Sequence, residues 1–336
     1  MEKIIGLGNA LVDVLARLED DKILGQMQLP KGSMTLIDET KLLGINDFLS
    51  TKTTKLSCGG SAGNTILALA NLDAATGIIG KVGNDDYGHF FKKKLKKLGV
   101  EDKTIISPDR PTGIASTFIS EDGERTFATF LGAAASLSSE ELSSEMFKEY
   151  SYLFIEGYLV QDHDLILQAI ELAKGAGLQI CLDMASYNIV EENLEFFKLL
   201  LTKYVDIVFA NEQEARAFTG LKPLEALEEL GRICSIAVVK VGAQGTYIRK
   251  GTEIIHVPAI PVKSLIDTTG AGDYYAAGFL YGLTSGLSLD KCARIGSLLA
   301  GNVIQVVGTT LTPARWEKIK QGVNEVKEIS AVPDAE

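Results

Sequence analysis

A three-layer α/β/α architecture around a mainly parallel central sheet follows from two features of this 336-residue chain. Short, continuously apolar runs recur, and each leads into or follows a stretch of helical periodicity: "SYLFIEG" (151–157), "LQICLD" (178–183), "VDIVFAN" (205–211) and "SIAVVKVG" (235–242). Strands apolar on both faces are what a parallel sheet needs when helices cover it on both sides. The strand–helix alternation points the same way. The second feature is a break in that rhythm. Residues 14–36 and about 103–131 alternate polar and apolar positions around turn pairs such as Asp122-Gly123. They are expected to form exposed antiparallel strands that project from the body as a small β-sheet lid. No repeat, low-complexity tract or long linker divides the chain, so one domain over 1–336 is expected, with the lid as an excursion from it.

Each element carries its own signals. The first strand ends in "GLGNALVD", where Gly6 and Gly8 suggest a dinucleotide turn but Leu11 stands where the third glycine of G-x-G-x-x-G belongs. A P-loop pattern is also absent. Asp13 closes this strand, where a carboxylate can reach over the C-terminal edge of a sheet towards a ligand; a turn or cap residue is the competing role. In "CGGSAGNTILALANL" (58–72), Gly59, Gly60 and Gly63 free the backbone ahead of a helix, and Asn64 both donates and accepts. That suits vicinal hydroxyls, although a tight turn with a helix cap reads the same way. The lysines of "FKKKLKKLG" (91–99) are the solvated face of a helix whose Phe91, Leu95 and Leu98 point inward. In "NEQE", Asn211 and Glu214 form either a capping box or oxygen ligands, direct or through water, for Mg²⁺ and a phosphate. Finally, "DTTGAGDYYAAGFL" (267–280) turns from glycines into an apolar helix with Asp273 at the junction. The unpaired N–H groups of a helix start attract anions, and Gly270 and Gly272 let a ligand come close.

Composition narrows the function. Apolar residues make up 46% and charged residues 23%, the balance of a soluble globular protein. A net charge of −11 argues against nucleic acid or an anionic membrane as partner. No apolar run is long enough to span a bilayer, and Asn9 and Asp13 interrupt the N-terminal stretch that could be taken for a signal peptide. The four cysteines lie far apart with no C-x-x-C pair, which fits a reducing cytoplasm, and the three histidines share no metal-like spacing.

Together "GGSAGNTILALANL", "NEQE" and "DTTGAGDYYAAGFL" resemble the motifs of the ribokinase-like family, the PfkB carbohydrate kinases. Within it, "GNALVDV", "LPKGSMTLID" (29–38) and "GNVIQVVG" (301–308) look closest to the adenosine-kinase-like branch. The resemblance implies an ATP-dependent kinase acting on the 5′-hydroxymethyl of a nucleoside, adenosine foremost. The alternatives are a kinase for ribose, fructose or a related sugar, and a non-catalytic binder of such ligands. It implies Asp273 as base, with the Gly270, Ala271 and Gly272 backbone as an anion hole and Arg125 reaching the transferred phosphate from the lid. Asp13, Gly59, Gly60 and Asn64 would hold the sugar hydroxyls. Asn211 and Glu214 would organise Mg²⁺, Glu214 through water, while Lys240, Gly242 and Gly245 border ATP. Asp267 sits where the family often builds a loop for a monovalent cation such as K⁺. The resemblance leaves a monomer and a homodimer open.

Overall fold

The computed structural model describes residues 2–329. Its main sheet has nine strands, and seven of them run parallel. The first strand, Ile4–Leu7, lies between Thr76–Ile79 and Tyr152–Glu156, and from the latter Gln179–Asp183, Ile207–Asn211 and Ile236–Lys240 follow side by side. Two antiparallel strands, Thr246–Lys250 and Glu253–Val257, finish that edge. The continuously apolar runs are strands because they are buried on both faces. Ile4, Phe154, Phe209 and Val238 point to one apolar layer, with helices Ser61–Asn71, Ala271–Thr284 and Leu289–Val303. Ile5, Ile155, Val208 and Val239 point to the other, with helices His163–Gly175, Leu194–Lys203 and Pro223–Ile233.

The lid differs from its sequence reading. It is a mixed five-stranded sheet in the order Met34–Leu36, Arg125–Phe130, Gly113–Ile119, Leu11–Arg17, Thr54–Gly59, with two parallel pairs. Its strands are not generally exposed. Gly113–Ile119 is buried throughout, because helices Lys22–Gln26 and Glu39–Ser50 give the lid its own apolar core around Leu24, Leu42, Ile45 and Phe118. Residues Ile105–Ser107 lie outside it and pair with Lys81–Gly83. Asp13 also moves. The first strand stops at Leu7, and Asp13 lies in the middle of the Leu11–Arg17 lid strand, opposite Ser57 and Ala115.

Candidate active site

Glu156, Asp183, Asn211 and Lys240 are the last residues of four adjacent parallel strands. They line up along the C-terminal edge of the sheet, where open α/β folds bind ligands. Between that edge and the lid lies a cleft of about 1180 Å³. Every residue the sequence singled out for catalysis or for binding substrate and nucleotide lines it except Gly59, which packs against the Asp13 carboxylate; Asp267 and Gly63 stand outside the lining.

Asp273 stands in the first turn of the Ala271–Thr284 helix. Ser61 Oγ donates to its Oδ1 at 2.6 Å and Asn64 Nδ2 to its Oδ2 at 2.8 Å, so both oxygens are fixed by the neighbouring helix. Burial pushes the Asp273 carboxyl up to about 6, against the pull of Ser61 and Asn64. Gly270 caps the helix at φ 75°, a left-handed turn that glycine adopts without strain. Ala271 N–H turns back to Thr268 O at 3.1 Å and Tyr274 N–H to Gly270 O at 2.9 Å. Among the described residues, the N–H groups of Gly272 and Asp273 find no acceptor, so the helix start keeps donors for an anion.

Asn64 and Ser61 owe their place to Gly60, whose φ of +84° and contact with the Asn9 carbonyl exclude a side chain. Beneath that turn lies Glu156, 1% exposed, which sequence reasoning missed. It accepts from Asn9 N at 2.8 Å, Asn9 Nδ2 at 2.6 Å and Ala62 N at 2.9 Å, tying the first strand's exit to the helix that grips Asp273. Burial still pushes its carboxyl up to about 7. Ser61 and Asp183 were missed as well. The available signal was position: Glu156 and Asp183 each follow an apolar run.

On the lid side, burial and then the Asp273 charge push the Asp13 carboxyl up to about 7, opposed by Arg125. Arg125 Nη1 pairs with Asp267 Oδ2 at 2.7 Å, while its Nη2 is buried without a partner. Asp267 also accepts from Thr269 N at 3.0 Å and Gly308 N at 2.8 Å. The Arg125–Asp267 pair therefore joins the lid to the loop that opens the Ala271–Thr284 helix.

On the opposite side, Asn211 and Glu214 form a reciprocal capping box. Asn211 N and Nδ2 donate to the two Glu214 oxygens at 2.7 and 2.6 Å, and Asn211 Oδ1 accepts from Glu214 N at 2.9 Å. Burial and the nearby Asp183 push the Glu214 carboxyl up to about 7. Lys240 Nζ donates to Asp183 Oδ2 at 3.0 Å. Burial pulls this ammonium down, but the Asp183 and Glu214 carboxylates outweigh it and hold Lys240 above its ordinary value.

Residues 34–316 match the pfkB family carbohydrate kinase model. The chain belongs to that family. It is thus an ATP-using phosphotransferase with an alcohol group as acceptor. Among its pfkB relatives it is similar to an adenosine kinase of Schizophyllum commune, 28% identical over 95% of this chain and 98% of that protein. The structure of an adenosine kinase from Sinorhizobium meliloti matches with a TM-score of 0.85 at 34% identity, covering 96% of this chain and 99% of the other. A probable sugar kinase from Rhizobium etli matches with the same score and identity, covering 96% and 98%. The ribokinase-like α/β/α fold expected from the sequence is the fold of these pfkB relatives.

Proposed function

We propose that the chain transfers the γ-phosphate of ATP to the 5′-hydroxyl of a nucleoside, adenosine foremost. The observation that carries this reading is the Asp273 carboxylate, fixed by Ser61 and Asn64 beside unpaired helix N–H groups and facing Asp13 across one cleft. Asp13 and Asn64 hold the ribose hydroxyls, which places the 5′-hydroxyl against Asp273. The hydroxyl oxygen attacks the γ-phosphorus, its proton passes to Asp273, and the bond to the β–γ bridging oxygen breaks as ADP leaves. Donors at Gly272 and Asp273 meet the charge on the transferring group without having to reorganise. Beside Asp13 the cleft wall is apolar, with Leu15, Ala115 and Phe127 offering a base contact area that a bare sugar leaves unused. On the nucleotide side, Ile260, Val262, Ala300 and Ile304 give an apolar slot beyond Lys240, Gly242 and Gly245.

The residues present fit Mg²⁺ arriving with the triphosphate. Carboxylates lining the cleft outnumber cations five to two, so a polyphosphate needs added positive charge. No group of three or more His, Cys, Asp or Glu among the described residues can cage a metal alone, which suits an ion held mainly by phosphates and water. Asn211 and Glu214 would orient its water shell, and the ion would neutralise the phosphates. A monovalent cation fits less well, since the Asp267 carboxylate is already taken by Arg125, Thr269 and Gly308. The four free, buried cysteines support a reducing, cytoplasmic setting. No helix among the described residues is long and apolar enough to cross a membrane.

The likeness to the Rhizobium etli protein keeps a sugar acceptor as the second reading. A coupled assay with ATP, Mg²⁺ and equal concentrations of adenosine, inosine, ribose and fructose separates the two. The expected result is kcat/KM highest for adenosine, with the phosphate on O5′ by phosphorus NMR. Equal or faster turnover of a free sugar overturns the nucleoside assignment.

A further inference from the structure

Among the described residues, two cations line the cleft, and they sit on opposite walls. Arg125 belongs to the lid and is held by Asp267. Lys240 rises from the sheet and is set against the anion-binding turn: a Cβ on Gly272 would stand only 3.2 Å from its Nζ. Its side chain is 15% exposed, so little water reaches the ammonium. An ammonium offers three donors, and Asp183 takes one of them. The other two find no acceptor among the described residues, and their nitrogen lies beside the backbone that carries the free Gly272 and Asp273 N–H groups. The structure thus provides a desolvated positive charge and two unpaired N–H groups at one point, next to the carboxylate that receives the acceptor's proton.

We propose that Lys240 is a catalytic residue of phosphoryl transfer and that Asp183 is its positioning residue. This rests on the kinase reading above. As the bond from the acceptor oxygen to the γ-phosphorus forms and the bond to the β–γ bridging oxygen breaks, negative charge spreads over the three equatorial oxygens. Lys240 meets one of those oxygens while Gly272 and Asp273 N–H meet the others. Asp183 holds the ammonium in place and, with Glu214, keeps it protonated before nucleotide arrives. The contact is strongest in transit, so it raises kcat more than it tightens ATP binding.

The rival role is counter-charge. Lys240 could serve only to neutralise Asp183, since a buried carboxylate left without its partner is costly. Lys240→Met, Asp183→Asn and the double variant distinguish the two, because the double variant restores the charge balance that each single change upsets. If Lys240 is catalytic, Lys240→Met loses about 10²–10³ in kcat, the range for removing one preorganised donor, with the KM for ATP within about threefold. The double variant then recovers melting temperature but not kcat. Should Lys240→Met fail to fold, the double variant supplies the reading. If the double variant returns to within about tenfold of wild-type kcat, short of that range, Lys240 is a counter-ion and the proposal falls. An active wild type whose Lys240→Met keeps its kcat also overturns this proposal and leaves the function intact. A wild type that phosphorylates no acceptor overturns both.

Discussion

As the proposed base, Asp273 combines two demands that usually conflict. A proton acceptor should be ionised, while a phosphoryl-transfer site should be dry enough to strengthen every charge interaction. Burial raises this carboxyl, and the hydrogen bonds from Ser61 and Asn64 oppose the rise, leaving it at about 6. Such a value keeps the group largely ionised at pH 7 yet basic enough to take a proton. Asp273→Asn should therefore fold, bind both substrates and lose about 10²–10⁴ in kcat, with little change in KM. A loose transition state in which the proton leaves late would put the loss near the lower end. If the residue only complemented the helix dipole, the variant would lose about 0.3–1 kcal/mol of stability and keep its rate. Steady-state kinetics and a melting curve on one preparation decide, and a kcat within about threefold of wild type removes Asp273 as the base.

At the scale of elements, a buried ion pair joins the lid to the loop that opens the Ala271–Thr284 helix. Arg125 and Asp267 expose 8% and 3% of their side chains, and Asp267 also pins Gly308. Removing one member of such a pair leaves the other charge buried, which typically costs about 3–5 kcal/mol. Asp267→Asn should lose stability on that order in denaturant titration, and it should also slow turnover by freeing Arg125. A loss below about 1 kcal/mol, the level of an exposed pair, would mean that the lid is held elsewhere. Elements were legible in the sequence where their cause is local. Five of the seven parallel strands announced themselves as apolar runs, while Thr76–Ile79 and Glu101–Asp102 did not, and the three motifs already held most of the site because each is a turn leading into a helix. The lid was legible only as a break in rhythm. Its Thr54–Gly59 strand reads "TKLSCG", with lysine, serine and glycine masking any alternation. Its pairing joins segments about a hundred residues apart, such as Leu11–Arg17 with Gly113–Ile119, and no local pattern encodes that. Asp13 was misplaced for the same reason, and Glu156 went unread because an isolated carboxylate after a strand forms no motif.

Over the whole molecule, the site opposes the stability of the fold. Burial holds Asp13, Glu156 and Glu214 at about 7 and Asp273 at about 6, against ordinary values of 3.8 for Asp and 4.5 for Glu. Besides one another, the charges facing them are Arg125, Lys240, Asp183 and Asp267, and the two cations do not cancel the cost of burial. Between pH about 4.5 and 7 the folded chain thus holds protons that the unfolded chain has released, so stability falls as pH rises through that window. Carboxylates shifted the opposite way, such as Asp85 and Asp102, lie below their ordinary values and act only under more acid conditions. The ligand-free protein should accordingly melt at a higher temperature at pH 5 than at pH 8 at matched ionic strength. Each displaced pKa unit is worth about 1.4 kcal/mol, and the summed difference should be on the order of a few kcal/mol. Activity should run the other way, because the roles proposed above need Asp273 ionised for phosphoryl transfer and Asp13 ionised for acceptor binding. kcat/KM for the acceptor should rise from pH 5 to 8 while the ligand-free melting temperature falls. Calorimetric melts and initial rates across that range test both halves, and a melting temperature that climbs with pH would show that these carboxyls are ionised in the folded chain without penalty.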